Sequence, residues 1–494
     1  MIVVASKVDS LPALNRRAAS VAVTGTDDTY LGRCIVPLTV AHPGLTGIHA
    51  LQEGREAFAA RALLAQHAQR SLDIQYYIWR NDTTGTLLFD ELKAAAGRGV
   101  RVRLLLDDNT TSGLDAVLAE LDAHPLIEVR LFNPFAIRKP RALNFVTDFA
   151  RVNRRMHNKS FTADNQISIV GGRNVGDEYY GAASAVLFVD LDVITVGPVV
   201  REVSNTFDRY WNSPSAYPLA SIVSAAAAGA AQPTRDAALA HTYMEAVRNL
   251  PFFDQLTQGA PSFDWAPVRL LSDSPGKVTG NPGKNGIVAD KLRALFGNPQ
   301  RGLDLVSPYF VPGKDTANEF IGFARRGASV RVLTNSLEAT DVAAVHAGYA
   351  EWRKPLLEAG VRLYELRREW AGEPGEKQAG GPGSSDSALH AKTFAVDGER
   401  LFVGSFNLDQ RSMHLNTEMG VVIDSPELAR RLALRLDRAI PKRAYEVRLD
   451  KDGALYWIER QEGRTLRHDV EPGTTWRKRT AVWLMSWLPI DWLL

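Results

Sequence analysis

The sequence predicts an α/β fold made of two similar halves. Three observations carry this. The run 72-LDIQYYIW, the stretch TGTLLFDELKAAAGRG and 100-VRVRLLLDDN read in turn as strand, helix and strand. Later, 303-LDLVSPYF, ANEFIGFARRG and 330-VRVLTNS read the same way. Downstream of each copy stands the pattern HxKxxxxD, at 157–164 and again at 390–397, so the copies are offset by roughly 230 residues throughout. Strands alternating with helices place a sheet between helical layers.

Taken in order, residues 1–45 form an N-terminal segment and 46–205 the first half. Residues 206–300 connect the halves and hold the linker-like stretches SAAAAGAAQP and SPGKVTGNPGKNG. The second half runs over 301–440, and 441–494 form a hairpin followed by an amphipathic tail. Gly99 and Gly327 close the helix of each copy. The Gly/Pro/Ser-rich run 371-AGEPGEKQAGGPGSSDS-387 abuts His390 and reads either as a mobile flap or as a tolerated surface insertion.

Composition narrows the function classes. The 494 residues are 45% hydrophobic and 23% charged, an ordinary globular balance in which each half can bury a core. A net charge of +2 excludes a generally basic nucleic-acid binder, so any basic surface is local. Cys34 is the only cysteine, and no Cys/His cluster suggests a metal. The first residues lack the apolar core of a secretory signal, no such core precedes Cys34 to suggest a lipoprotein anchor, and no run of 18 apolar residues spans a membrane.

The repeated motif carries the chemistry. In an extended strand, residues i and i+2 share a face, which sets His157 beside Lys159 and His390 beside Lys392. Asp164 and Asp397 complete the motif and fall in the following turns, ADNQ and DGE, where holding the turn is the favoured role. The return strands, ISIVGG and RLFVGS, end on small residues and then on Asn174 and Asn407, each 17 residues after its histidine. Each half thus offers an imidazole, an ammonium, an amide and exposed backbone N–H groups, with Gly172 and Ser405 as candidate substrate contacts. These are the groups that grip a phosphate. His346 and His414 read as structural.

Nearly the whole chain resembles the phospholipase D superfamily and, within it, the bacterial cardiolipin synthases, most closely the C type. The resemblance rests on LDIQYYIW, RGVRVRLLLDDN, RLFNPF, NRRMHNKSF, VGGRN, VLTNSL, HAGYAEWRK, LHAKTF, GSFNLDQRS, LNTEMG and LPIDWLL. It implies two α/β/α sandwich halves related by a pseudo-twofold axis, with one active site at their interface. It implies a phosphatidyl transfer through a phosphohistidine, with His157 as nucleophile and His390 as acid/base. Lys159, Lys392, Asn174 and Asn407 would stabilise the phosphoryl oxygens, with no metal and no cofactor. An acidic residue beyond each motif would orient the histidine of the other half: Glu418, and Asp192 as its better-aligned counterpart with Asp190 as the fallback.

The expected partners are phosphatidylglycerol, phosphatidylethanolamine and a membrane surface rather than nucleic acid, for a peripheral protein of the bacterial cell membrane. Hydrolysis of phospholipid head groups, or of a nucleic-acid phosphodiester, is the alternative reading of the same motifs. The basic stretch 138-RKPRALNFVTDFARVNRR-155 suits anionic head groups and nucleic-acid phosphates alike. In the tail 476-WRKRTAVWLMSWLPIDWLL-494, Trp476, Trp483 and Trp487 recur at helical spacing, as in an interfacial helix or one docked on the core.

Overall fold

The computed structural model describes residues 11–14, 17–181, 190–224, 234–259, 261–283, 286–340, 342–368, 389–461 and 463–487. The stretch 371–387 lies outside them. Among the described residues two mixed sheets form, one of nine strands and one of ten.

In the first sheet, strands Ser71–Tyr76, Arg101–Asp107 and Ile127–Phe132 run parallel, and the hairpin Ser160–Ala163/Ile167–Gly171 pairs antiparallel against the first of them. In the second, Gly302–Val306, Ser329–Asn335 and Arg362–Leu366 run parallel, with the hairpin Thr393–Val396/Arg400–Gly404 in the same place. The repeat read from the sequence is therefore a repeat of topology. Its helices are Thr83–Gly97 and Gly313–Arg325, and Gly99 and Gly327, at φ 98° and 94°, supply the left-handed residue that ends each.

The stretch 206–300 divides between the halves. Strand Ala216–Pro218 and helix Ala237–Arg248 belong to the first half, whose core takes in Tyr243 and Val247. Strand Val268–Ser272 pairs with Met419–Asp424 in the second sheet, and helix Val288–Phe296 packs into the second core. Strands Ala444–Leu449, Leu455–Gln461 and Arg464–His468 extend the second sheet at its other edge.

A third core joins the halves. Ile48, Val170, Val193, Val199 and Val203 of the first half interdigitate with Leu401, Val403, Met419, Val421 and Ile423 of the second. These inward-facing apolar positions on both sheets tie the halves together by burial of nonpolar surface. The hairpin that carries each histidine lies against this shared core, so the two motifs meet at its edge.

Candidate active site

Each hairpin is built to deliver its histidine. The ladders end at Ser160↔Val170 and Thr393↔Val403. His157 and His390 stand three residues before those pairs, and Asn174 and Asn407 four residues after them. The histidines lie in extended chain just ahead of the strand rather than within it, and each lysine turns its ammonium back onto the carbonyl of its own histidine. Lys159 Nζ donates to the His157 carbonyl at 2.6 Å, and Lys392 Nζ donates to that of His390.

The last residue of the second parallel strand in each sheet, one strand removed from the hairpin, clamps the residue before each histidine. Asp107 Oδ2 accepts the N–H of Met156 at 2.8 Å while pairing with Arg155. Asn335 Oδ1 accepts the N–H of Leu389 at 3.2 Å, and its Nδ2 donates back to the Leu389 carbonyl at 3.2 Å. Neither clamp was foreseen from the sequence, although both residues lie in the quoted runs RLLLDDN and VLTNS.

The histidines are paired across the interface. His157 Nδ1 lies 2.9 Å from Glu418 Oε2, and His390 Nδ1 lies 2.7 Å from Asp190 Oδ2. Each carboxylate thus holds the imidazole of the other half. The expectation for Asp192 is corrected here. Its carboxylate is buried against Arg61 at 2.7 Å and Arg173 at 3.3 Å, within the first half. Strand register gives the reason. Gly171 pairs with Asp192 and Gly404 pairs with Gly420, so Asp192 is the counterpart of Gly420 and Asp190 that of Glu418.

Asp164 and Asp397 do not reach the site, which corrects their place among the candidate catalytic residues. They sit at the far turn of each hairpin at φ 50° and 54°. Asp164 accepts the N–H groups of Gln69, Arg70 and Ser71, and Asp397 those of Gln300, Arg301 and Gly302. Their work is to fasten the start of the neighbouring strand.

Ser405 is also redirected. Its hydroxyl donates to Glu418 Oε2 and accepts the N–H of Met419 at 3.0 Å, so it orients the carboxylate. Ser412 Oγ donates to Glu418 Oε1 at 2.9 Å. Gly172 leaves room: a Cβ there would lie 2.6 Å from Asp190 Oδ1. Asn174 Oδ1 accepts the N–H of Ile78 at 3.2 Å, whereas Asn407 Oδ1 is buried without a partner among the described residues. Two tyrosines, Tyr77 and Tyr179, set their rings edge-on against His157 and His390, each at 5.1 Å. They carried no motif signal, because both contacts are tertiary.

The electrostatics of the two pairs differ. Burial, then the charges of Lys159 and Lys392, hold His157 well below the usual imidazole range. Burial and Lys392 lower His390 to about 4, against the pull of Asp190. Burial raises Glu418 to about 7, opposed by Lys159. Burial opposes ionisation of Asp190 too, but His390, Arg173 and Lys392 outweigh it and hold that carboxyl below the usual range. Both imidazoles are thus held toward the neutral form, each with Nδ1 facing a carboxyl group of the other half. Lys159 and Lys392 bring their amines to the same place, and burial pushes Lys159 well below the usual lysine range, against the pull of Glu418. Among the described residues no group of three or more His, Cys, Asp or Glu side chains is gathered to hold a metal.

The family described as "Cardiolipin synthase, PLD-like domain" matches residues 63–211 and 292–440, one match on each half. Cardiolipin synthase C of Escherichia coli strain K12 is 46% identical over 470 residues, covering 94% of this chain and 99% of that protein. An uncharacterized protein of Helicobacter pylori strain 26695 is 31% identical over 464 residues, covering 90% of this chain and 89% of its own. Among solved structures, the phosphatidylserine synthase of Haemophilus influenzae Rd KW20 shares the fold at a TM-score of 0.55 and 14% identity, over 83% of this chain and 91% of that one. With both motifs intact and their histidines paired across the two halves, the chain belongs to the cardiolipin synthase family, phosphatidyltransferases of the phospholipase D superfamily.

Proposed function

We propose that the chain makes cardiolipin by moving a phosphatidyl group onto phosphatidylglycerol, through a phosphohistidine at His157. The observation that carries this reading is the crossed pairing of His157 with Glu418 and His390 with Asp190 in a member of this family. His157 Nε2 attacks phosphorus, and the P–O bond to the donor head group breaks. His390 gives its Nε2 proton to the leaving oxygen, so glycerol departs from phosphatidylglycerol or ethanolamine from phosphatidylethanolamine. The hydroxyl of the accepting phosphatidylglycerol then enters. His390 removes its proton, the oxygen attacks phosphorus, and the P–N bond breaks to restore His157.

The unequal carboxylates support this order. A firmly ionised Asp190 favours an imidazolium at His390, which the acid role needs. Glu418, more readily protonated, favours that charge less and leaves His157 neutral and nucleophilic. In the free site the lysines depress both imidazoles. The phosphodiester anion offsets their charge and lets His390 take up its proton. Lys159, Lys392 and Asn407 then face the charge that grows on the phosphoryl oxygens.

The described residues hold no helix long and apolar enough to cross a membrane. A peripheral position on the bacterial cell membrane suits lipid substrates. Mass spectrometry of products from phosphatidylglycerol, alone and mixed with labelled phosphatidylethanolamine, tests the reading. Cardiolipin with release of glycerol or ethanolamine is expected, and His157→Ala and His390→Ala should each abolish it. Phosphatidic acid as the sole product would overturn transfer in favour of hydrolysis.

A further inference from the structure

Two apolar rims flank the segments that carry the histidines. The first lies within residues 138–152 and is a rigid frame. The buried side chain of Asn144 laces it together: Oδ1 accepts the N–H of Ile137 at 3.0 Å, and Nδ2 donates to the carbonyls of Ile137 at 2.7 Å and Arg141 at 2.8 Å. Arg138 and Arg141 tie it to Asp108 and Asp115. On this frame Leu143, Phe145, Val146 and Phe149 remain 46%, 40%, 83% and 40% exposed. His157 follows a few residues on, and Arg154 between them donates, among the described residues, to the carbonyls of Lys277 and His414 and to no carboxylate.

The second rim is the helix Trp476–Met485. Val482 and Met485 pack on Leu337, Ala343 and Ala347, and Lys478 Nζ donates to the Leu337 carbonyl at 2.5 Å. Leu337 stands two residues beyond Asn335, the clamp on the neighbour of His390. The opposite side of this helix leaves Trp476, Trp483 and Leu484, with Trp487 just past its end, 57–73% exposed. Residues 476–487 contain three basic side chains and no acidic one.

Rigidly presented aromatic surface of this kind marks a binding face. The charge selects the occupant. Lys139, Arg154, Arg477 and Arg479 meet no carboxylate among the described residues, so the rims repel a second copy of themselves and attract an anionic layer. Tryptophan and phenylalanine beside arginine is the composition that settles at a lipid interface. We infer that the two rims together form a docking surface for an anionic lipid bilayer, which holds the histidine-bearing segments against the head-group layer. The inference deepens the lipid-transfer reading and rests on it. Its test is read out by binding, so that the two fail separately.

The experiment is co-sedimentation with vesicles of phosphatidylglycerol and phosphatidylcholine. It uses the full chain, a first-rim variant (Phe145→Asp with Val146→Asp), a second-rim variant (Trp483→Asp with Trp487→Asp) and their combination, each with a thermal melt. Each rim variant should lower partitioning at least tenfold and the combination further still. Transfer between vesicle lipids should fall in step, while turnover of monomeric short-chain phosphatidylglycerol stays within twofold of the native chain. If an Asp pair melts early, serine at the same positions must reproduce the same ordering. Folded variants that partition like the native chain, or loss confined to one rim, would overturn the inference. So would loss of short-chain turnover with vesicle binding intact, since the rims would then be part of the active site. A native chain that binds through both rims yet transfers nothing would uphold the docking surface and overturn the proposed function instead.

Discussion

Asp190→Asn and Asp192→Asn, two residues apart, should fail in different ways. Asp190 Oδ2 lies 2.7 Å from His390 Nδ1 in a buried site, where it stabilises the imidazolium. A hydrogen bond between charged groups contributes about 1.5–3 kcal/mol, which is a factor of roughly 10 to 150 in rate. Asparagine also offers an N–H donor to Nδ1 and so favours the wrong tautomer; the same exchange behind a catalytic histidine in serine proteases lowers kcat about 10⁴-fold. Asp190→Asn should therefore lower kcat by about 10² to 10⁴-fold with little change in melting temperature. Asp192→Asn instead leaves Arg61 and Arg173 buried beside a neutral amide. Breaking one side of such a pair costs about 3–5 kcal/mol, so the melting temperature should drop by several degrees while the folded fraction keeps its turnover. Cardiolipin formation in mixed micelles, measured well below both melting temperatures beside near-UV circular dichroism, distinguishes them. An Asp190→Asn variant that keeps more than a tenth of native kcat, with a folded Asp192→Asn variant that is dead, would refute the assignment.

Gly172→Ala places a methyl group 2.6 Å from Asp190 Oδ1 and should push that carboxylate off His390, lowering kcat at least tenfold in steady-state assays with the fold intact. Asp164→Ala strips three backbone N–H groups of a buried acceptor and should cost about 2–4 kcal/mol in denaturant unfolding. Asp397→Ala, at the more exposed turn, should cost less, and both variants should keep activity while folded. The raised carboxyl of Glu418 binds a proton more tightly when folded than when unfolded, so its contribution to stability is full below about pH 4.5 and falls away as pH rises to about 7. Relative to Glu418→Gln, the native chain should lose stability over that window and stay level above it, as read from unfolding midpoints across pH.

Much of the site was legible because it is local and written twice. The spacing of His157 to Asn174 and of His390 to Asn407 is the length of one hairpin, and a hairpin's register follows from its turn and its alternation. The carboxylates were harder. Glu418 lies 11 residues after Asn407 but Asp190 lies 16 after Asn174, so the chain between them differs in length and two acidic residues compete for one place. Only the strand pairing, Gly171 with Asp192, removes the ambiguity. Tyr77 and Tyr179 were invisible because each meets its histidine by packing, and the clamps of Asp107 and Asn335 because an acid or amide at a strand end has many ordinary uses. The stretch 206–300 looked like a connector because its loops are rich in glycine and proline, yet its strands and helices are shared between two cores.

The exchange of carboxylates between the halves also governs when activity can arise. A chain emerging from the ribosome completes His157 and Asp190 while Glu418 and His390 have yet to be made. Neither half carries a histidine paired with a carboxylate of its own, so both pairs form only once the two halves have been made. The crossed pairing ties the completion of the site to the last part of the chain to be synthesised. It also makes a clear case for split-chain reconstitution: two separately expressed halves, each silent, should become active only when mixed.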